Sequence, residues 1–513
     1  MRRPSDLGSG GGRRSLGATD RKPPRLLWVR ARLALPIRRV TPPSLAPAAS
    51  AVASAPTHSV TIYVPTRTSP GPADRLTPAP DASTGQLSAA EHGRDRPPRP
   101  SSLRSNVAWM GMILAASTLI PMVTLPHMTR ALGAESFGKV VFVQAVMAFA
   151  VVFTDYAFSW SGVRDIAGVR GEKAVLSRTF LGIWGAQWVL TLLAGPALML
   201  FAWFHGIGEG DAALYVLGYL GIVIGNTLFP VWFFQGLERM GEIALIQVAT
   251  RLLSVPAILG LVRSPRDTAL ALAIQAFVTV LAGALAIAHM RRRGWITWQA
   301  PHAVAVIDAL RGGSSLFVSK LGISVYTALA PIVLGLTAGT TAVSYFSIAD
   351  RLRLAGQSLL TPITNALFPR LSHLYAADRA GATRLVARAF AIMLATAASI
   401  SLGLFVMADV AIRLFGGPAF GAAVPVLRLL AALPLVVGLS NFFGVQVMLT
   451  NGRARAFNLI LAAAAALGGI AIWPLTRWLG AVGAAVSIVG AECFVTTAMA
   501  VYLLRNPRLW RHS

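Results

Sequence analysis

Cysteine is almost missing. Cys493 stands alone among 513 residues, which excludes an intrachain disulfide framework and any site ligated by several cysteines. Histidine is scarce too, eight in all without HxxxH or HExxH spacing, so zinc chemistry is not expected. Acidic residues are few: 20 Asp+Glu against 46 Lys+Arg leave a net charge of +26. No GxSxG elbow, no GxxxxGK(S/T) loop and no dinucleotide glycine pattern after a strand occurs, so neither bound nucleotide nor a soluble catalytic constellation is expected. What the chain does have is apolar surface, at 55% hydrophobic and 13% charged residues. A soluble nucleic-acid-binding protein explains the charge but not the apolar content. A polytopic membrane protein explains both, provided the positive charge sits in short loops.

Residues 1–104 differ from the rest. They hold 17 Lys+Arg, 6 Asp+Glu and 16 of the 31 prolines, and their best apolar run is only Leu26-Leu27-Trp28-Val29. Such a stretch buries too little surface to offset ordering entropy. The expectation is a disordered basic, proline-rich arm, or a gene-model over-extension with the start near Leu103 or Met110. Contact of the arm with anionic lipid is the functional alternative. No apolar core ahead of a small-residue cleavage site marks a signal peptide.

From Val107 to Leu504 the chain is apolar, with interruptions at the spacing of membrane crossings of about 20 residues. The expected spans are 107–125, 138–160, 180–204, 212–234, 243–262, 268–290, 314–335, 341–366, 385–408, 422–448, 456–475 and 480–504. The fold class is therefore all-α, with about twelve transmembrane helices. From residue 105 on, the even-numbered connections and the C-terminal tail carry 18 Lys+Arg and the odd-numbered ones six, which puts both termini in the cytoplasm. Spans 1, 4 and 6 start at a near-constant offset from spans 7, 10 and 12. This suggests an N-lobe at 105–290, a basic linker at 291–312, a C-lobe at 313–505 and a cytoplasmic tail at 506–513. Gly225-Asn226 … Gln235-Gly236 echoes Ser440-Asn441 … Asn451-Gly452 between the lobes. Two like-oriented six-helix halves are a transporter layout.

Charges inside the spans carry the functional signal, because each is costly in lipid and faces protein or a water-filled cavity. Asp155 and Arg428 lie near span ends, where snorkelling accounts for them. Glu492 sits mid-span, as a helix contact or a protonated carboxyl. Asp350 and Arg353 are three apart and able to pair, leaving Arg351 on another face. Arg251, Lys320, Arg351 and Arg353 lie deeper, and a cationic interior suits an anionic ligand such as a diphosphate. The alternative is an ion-pair network with Asp350 and Asp155. Phe229-Pro230-Val231-Trp232-Phe233-Phe234 reads as an interfacial aromatic belt with a proline kink, a flexible gate helix being the other reading. The glycines of Ala131-Leu132-Gly133-Ala134-Glu135-Ser136-Phe137-Gly138 permit a tight turn.

Four segments in order resemble bacterial oligosaccharide flippases, the polysaccharide transport branch of the multidrug/oligosaccharidyl-lipid/polysaccharide exporter superfamily. They are Leu125-Pro126-His127-Met128-Thr129-Arg130-Ala131-Leu132-Gly133 with Phe137-Gly138; Thr154-Asp155-Tyr156 with Val163-Arg164-Asp165-Ile166-Ala167; Phe229 through Met240; and Tyr345 through Arg351 with Pro362 through Pro369. The resemblance covers about 105–505. It implies two six-helix lobes, alternating access, and translocation of undecaprenyl-diphosphate-linked glycan repeat units across the bacterial inner membrane. It also implies a polysaccharide polymerase and chain-length machinery as partners. Arg130, Arg164, Trp232, Gln235, Gly236 and Glu238 fall in its motifs. The sequence departs from the family in its long arm and in Asp155-Tyr156-Ala157, where members commonly have a glycine. No cofactor is expected, and proton or sodium coupling is left open, with Asp155, Asp350 and Glu492 as coupling or helix-pairing candidates. A multidrug antiporter of the same superfamily, a peptidoglycan-precursor flippase and a membrane-embedded glycan polymerase or ligase are the rival readings.

Overall fold

A computed structural model describes residues 103–204, 209–360 and 379–506. The expectations for most of 1–104, for Pro362–Pro369 and for the last seven residues lie outside the described residues. The described chain is helical. It comprises α1 (Leu103–Asp155), α2 (Phe158–Gly168), α3 (Lys173–Phe204), α4 (Glu209–Gly218), α5 (Gly225–Leu228), α6 (Val231–Gly236), α7 (Met240–Leu261), α8 (Thr268–Arg293), α9 (Ala303–Gln357), α10 (Arg379–Val406), α11 (Ala408–Gly416), α12 (Ala423–Leu430), α13 (Leu433–Asn441) and α14 (Ala454–Arg505).

Eight of these stretches are long and apolar enough to cross a membrane, or nine if α10 and α11, bent by 66°, form one crossing. Three of the helices are divided by a glycine. Gly133 (φ 71°), Gly339 (φ 82°) and Gly480 (φ 56°) interrupt α1, α9 and α14 in the left-handed region that favours glycine. The Ser487 hydroxyl donates to the Gly468 carbonyl at 3.3 Å, although 19 residues of straight helix would separate them by about 28 Å. α14 is thus a hairpin. α1, α9 and α14 each hold two of the expected spans, one on either side of its interrupting glycine.

The connections separate by parity. Lys139 of the first connection pairs with Asp211 of the third at 3.2 Å, and His127 beside the first donates from Nε2 to the carbonyl of Val262 at the fifth, at 2.7 Å. Arg170 of the second pairs with Glu238 of the fourth at 2.7 Å, and Ser177 accepts the backbone N–H of Thr297 in the sixth at 2.9 Å. The two sets define an odd face and an even face.

Span 4 and span 10 carry the same irregularity. A π-helical turn occupies Tyr219–Ile224 in one and Phe442–Leu449 in the other. Each span ends in a residue of positive φ, Glu238 (58°) and Gly452 (71°), with the next N–H reaching back five residues: Arg239 to Phe234 at 2.8 Å and Arg453 to Met448 at 2.9 Å. The geometric counterpart of Gly452 is therefore Glu238, not the Gly236 suggested by the sequence echo. Helix ends are matched by backbone closure, and here a glutamate adopts the conformation a glycine takes in the other half.

Two further expectations are corrected. Span 2 does not run unbroken through 138–160: Tyr156 (φ 45°) and Ala157 (φ 60°) break the helix after Asp155, and α2 starts a new one. Trp232, Phe233 and Phe234 are not an interfacial belt. All three are buried, because Pro230 breaks the helix and turns α6 inward, where Trp232 stacks on Phe180 at 5.6 Å and donates to Gln187 at 3.2 Å.

The apolar core is arranged unequally across the two faces. On the odd side one continuous cluster joins both halves, from Leu125, Phe137 and Met147 to Val343, Phe346, Phe420 and Ala484. On the even side the core divides. Phe158, Phe180, Trp232 and Met290 form one cluster in the first half, and Met393, Phe442, Phe457 and Met499 another in the second.

Candidate functional site

The second arm of α1 lies antiparallel to the first arm of α9, and this contact is the seam between the halves. Near the odd face Gly138 meets Thr340 so closely that a Cβ would fall 2.0 Å from the Thr340 carbonyl oxygen. Only a residue without a side chain fits there. Farther down, Gly335 faces the ring of Phe142. Near the even face Phe317 stacks on Tyr156 with centroids 4.4 Å apart and an interplanar angle of 17°. Gly138 and Asp155 are 17 residues apart, so the seam runs about 26 Å, most of a bilayer core.

The odd-face end is closed by backbone acceptors as well as packing. Thr129 donates to the carbonyl of Phe415 at 2.6 Å, and Arg130 to that of Leu414 at 2.6 Å, while Phe137 meets Phe420 edge-on at 6.1 Å. The even-face end is closed by side chains. Lys320 pairs with Asp155, and Ser159 joins both, accepting from Lys320 at 3.0 Å and donating to Asp155 at 3.0 Å. Asp155 is the last residue of α1, held at the seam by the left-handed elbow that follows it.

The other expected site residues are distributed. Arg351 crosses the seam at mid-depth, donating to Gln144 at 3.1 Å and lying 5.6 Å from the Phe137 ring; Gln144 in turn donates to Gln275. Arg353 pairs with Asp350 at 2.6 Å and donates to Gln357 at 2.6 Å, as the i, i+3 spacing anticipates. The guanidinium of Arg251, half-buried in α7, has neither hydrogen bond nor ion pair among the described residues. Glu492 is half-buried in the second arm of α14. Arg164 pairs with Asp165 at 2.9 Å on the exposed even face. Gly236 packs on Ile166, and its carbonyl accepts from Arg170, which also holds Glu238; Gln235 is half-buried beside them. The four deep cations thus do not gather at one point: Lys320 and Arg351 lie on the seam, Arg353 on an internal pair and Arg251 apart.

Some polar contacts were not anticipated. Gln144 and Gln275 escape a search restricted to ionisable residues, although an amide within an apolar span carries a similar need for a partner. On the even face Glu242 accepts from Arg239 at 2.6 Å and from His289, and the Trp295 ring lies against both donors, 5.4 Å from the Arg239 guanidinium.

Comparison with known proteins fits this architecture. Residues 103–375 match the family described as polysaccharide biosynthesis protein, more than half of the chain. This chain belongs to that family. Within it, a protein of Escherichia coli (strain K12) named "Putative O-antigen transporter" is 31% identical, the match covering 80% of this chain and 98% of that protein. A protein of the same name from Shigella dysenteriae is 26% identical over 77% of this chain and 99% of its own length. Among solved structures, an inward-facing multidrug resistance MATE family transporter of the MOP superfamily aligns with a TM-score of 0.56 at 15% identity, covering 79% of this chain and 98% of its own. The lipid II flippase MurJ in an inward closed conformation aligns at 0.57 and 12% identity, covering 76% and 87%. The fold is that of this transporter superfamily. The family member described here is a multi-pass membrane protein of polysaccharide biosynthesis, and its relatives are named as transporters rather than enzymes.

Proposed function

We propose that this protein is a flippase of the bacterial inner membrane that carries undecaprenyl-diphosphate-linked oligosaccharide repeat units from the cytoplasmic to the periplasmic face by alternating access. The names of its relatives supply the class of cargo. The observation that carries the mechanism is the unequal seam: one shared core on the odd face, and two separate cores bridged by a charged cluster on the even face. The loop-charge bias makes the even face cytoplasmic and leaves both termini there. The cytoplasmic end is then the end with less to break when the halves part.

Lys320 is the group through which cargo acts on that end. A diphosphate entering between the halves offers the ammonium a doubly charged partner in place of Asp155, and an ion pair exchanged for another costs less than one broken. Arg351 lies farther along the seam, Arg353 follows two residues on in α9 in its pair with Asp350, and Arg251 of the first half has no pair among the described residues. Asp155, released from Lys320, joins Asp350 and Glu492 as a carboxyl able to take up a proton or sodium ion for the return step. A polymerase on the periplasmic side is the expected recipient of the repeat unit.

Rescue of a flippase-deficient strain, scored by surface polysaccharide, tests the reading. Restored display with wild type and loss with Lys320→Ala at equal membrane expression is the expected result. Full display by Lys320→Ala would overturn the role of the ammonium, and no display with wild type would overturn the cargo.

A further inference from the structure

On the odd face, at the edge of the seam, Val123, Pro126, His127, Arg130, Ala131 and Arg263 line an open cavity of about 540 Å³. Its polar wall is cationic, and among the described residues its groups are tied only to backbone oxygens. Arg130 donates from Nη2 to Leu414 at 2.6 Å, Arg263 from Nε to Gly260 at 2.9 Å, and His127 from Nε2 to Val262 at 2.7 Å. Asp267, four residues along from Arg263, accepts the backbone N–H of Arg263 at 2.9 Å and the Ser264 backbone and hydroxyl, and it forms no ion pair with the guanidinium. Among the described residues neither arginine takes part in an ion pair. A guanidinium carries five donors, so among the described residues each retains several with no protein acceptor. Because a carbonyl can only accept, His127 Nε2 holds its proton and Nδ1 is left for a ligand.

The opposite wall is apolar. Val123 is 60% exposed on the first arm of α1, where the surrounding medium is lipid. Two arginines beside an apolar, lipid-facing wall fit the phosphoryl group of a lipid, whose chain stays in the bilayer while its head group meets the guanidinium forks. The site is also coupled to the seam, because Arg130 holds Leu414 of the other half only while the odd-face end is closed. Parting the halves there removes that acceptor and frees the guanidinium beside the opening.

We propose that Arg130, Arg263 and His127 form an exit site that takes the diphosphate of the lipid-linked glycan at the level of the outer leaflet. This rests on the flippase reading, which sets both the cargo and the side. The Leu125–Gly133 motif then has a task beyond making a turn: it places Arg130 where cargo leaves.

The test uses the full-length protein in phosphatidylcholine nanodiscs, with a photoreactive benzophenone side chain in place of Val123. The probe is a sugar-free polyprenyl diphosphate. Wild-type background is expected to cross-link it, and Arg130→Gln/Arg263→Gln to require about tenfold more probe, the size expected for losing charge-assisted hydrogen bonds. Arg263→Gln alone leaves the Arg130–Leu414 bond in place and is expected to fall between, which separates ligand loss from damage to the seam. Cross-linking unchanged in both variants would overturn the proposal. So would equal competition by phosphatidylglycerol, which would make the site one for bulk anionic lipid. If wild type rescues the flippase-deficient strain while cross-linking is unchanged by the variants, the exit site alone falls; if wild type does not rescue, the flippase reading falls first.

Discussion

The two ends of one seam are built from different materials. At the odd face the halves share a single apolar core, Gly138 lies against the Thr340 carbonyl, and side chains from the first half donate to backbone oxygens of the second. At the even face each half keeps its own core, and a lysine, an aspartate, a serine and two stacked rings span the gap. A close-packed contact depends on shape and fails if one atom is added. A charged contact depends on its surroundings and can be exchanged for another of the same sign. The difference assigns the two ends different work: one is a hinge-like closure set by volume, the other a latch set by charge.

Adding volume at the first end has the largest expected effect. Gly138→Val places a branched side chain where not even a Cβ fits, so surface polysaccharide is lost in the rescue strain. Overpacking of this kind costs about 1–3 kcal/mol, read as a lower melting temperature in detergent. Retained display would remove volume as the principle of the odd-face end.

Next comes the latch. Lys320→Ala and Asp155→Ala each leave a mostly buried partner without its counter-ion, and the double variant is expected to recover part of the loss. A coupling energy of about 1–3 kcal/mol from the thermal stabilities of the cycle would establish the pair, and additive effects would dissolve it. Arg351→Gln shortens the mid-depth link to Gln144 while keeping a donor, and a cost of about 1 kcal/mol with reduced but measurable display is expected. No change in either readout would show that the Arg351–Gln144 link does not hold the seam.

The smallest effect has the opposite sign. Ala157 sits at φ 60° and is fully buried, a conformation that costs an L-residue about 1–2 kcal/mol. Ala157→Gly is therefore expected to raise thermal stability by about 1 kcal/mol, less the burial lost with one methyl group. A lower melting temperature would mean the elbow draws more from that methyl than it loses to strain.

Much of the fold is legible in the chain because membrane crossings are long, apolar and separated by glycine, proline and arginine. The turn at Gly133 and the Asp350–Arg353 pair both follow from local spacing. What pairs across the seam is not local: Lys320 and Asp155 are 165 residues apart, and no periodicity brings them together. The burial of Trp232 was hidden for a related reason. An aromatic run after a proline reads the same whether the helix turns toward lipid or toward protein, and the direction is decided by Phe180 and Gln187 on another span. The elbow at Tyr156–Ala157 was hidden because neither residue type advertises a positive φ.

The π-helical turns at Tyr219–Ile224 and Phe442–Leu449 give each half one residue more than an α-helix of the same rise would hold. That surplus is a matter of phase rather than length. Deleting a single residue there would let the span close as an ordinary α-helix and would rotate everything beyond it by about 100° relative to what precedes. In the first half that rotation would swing Thr227 away from the Trp184 indole, which donates to its carbonyl at 2.9 Å, and from the Thr191 hydroxyl, which meets its own hydroxyl at 2.7 Å. Spans 4 and 10 are therefore intolerant of the small deletions that helices elsewhere absorb at their ends, and relatives that lack the extra residue must aim the same side chains by another route.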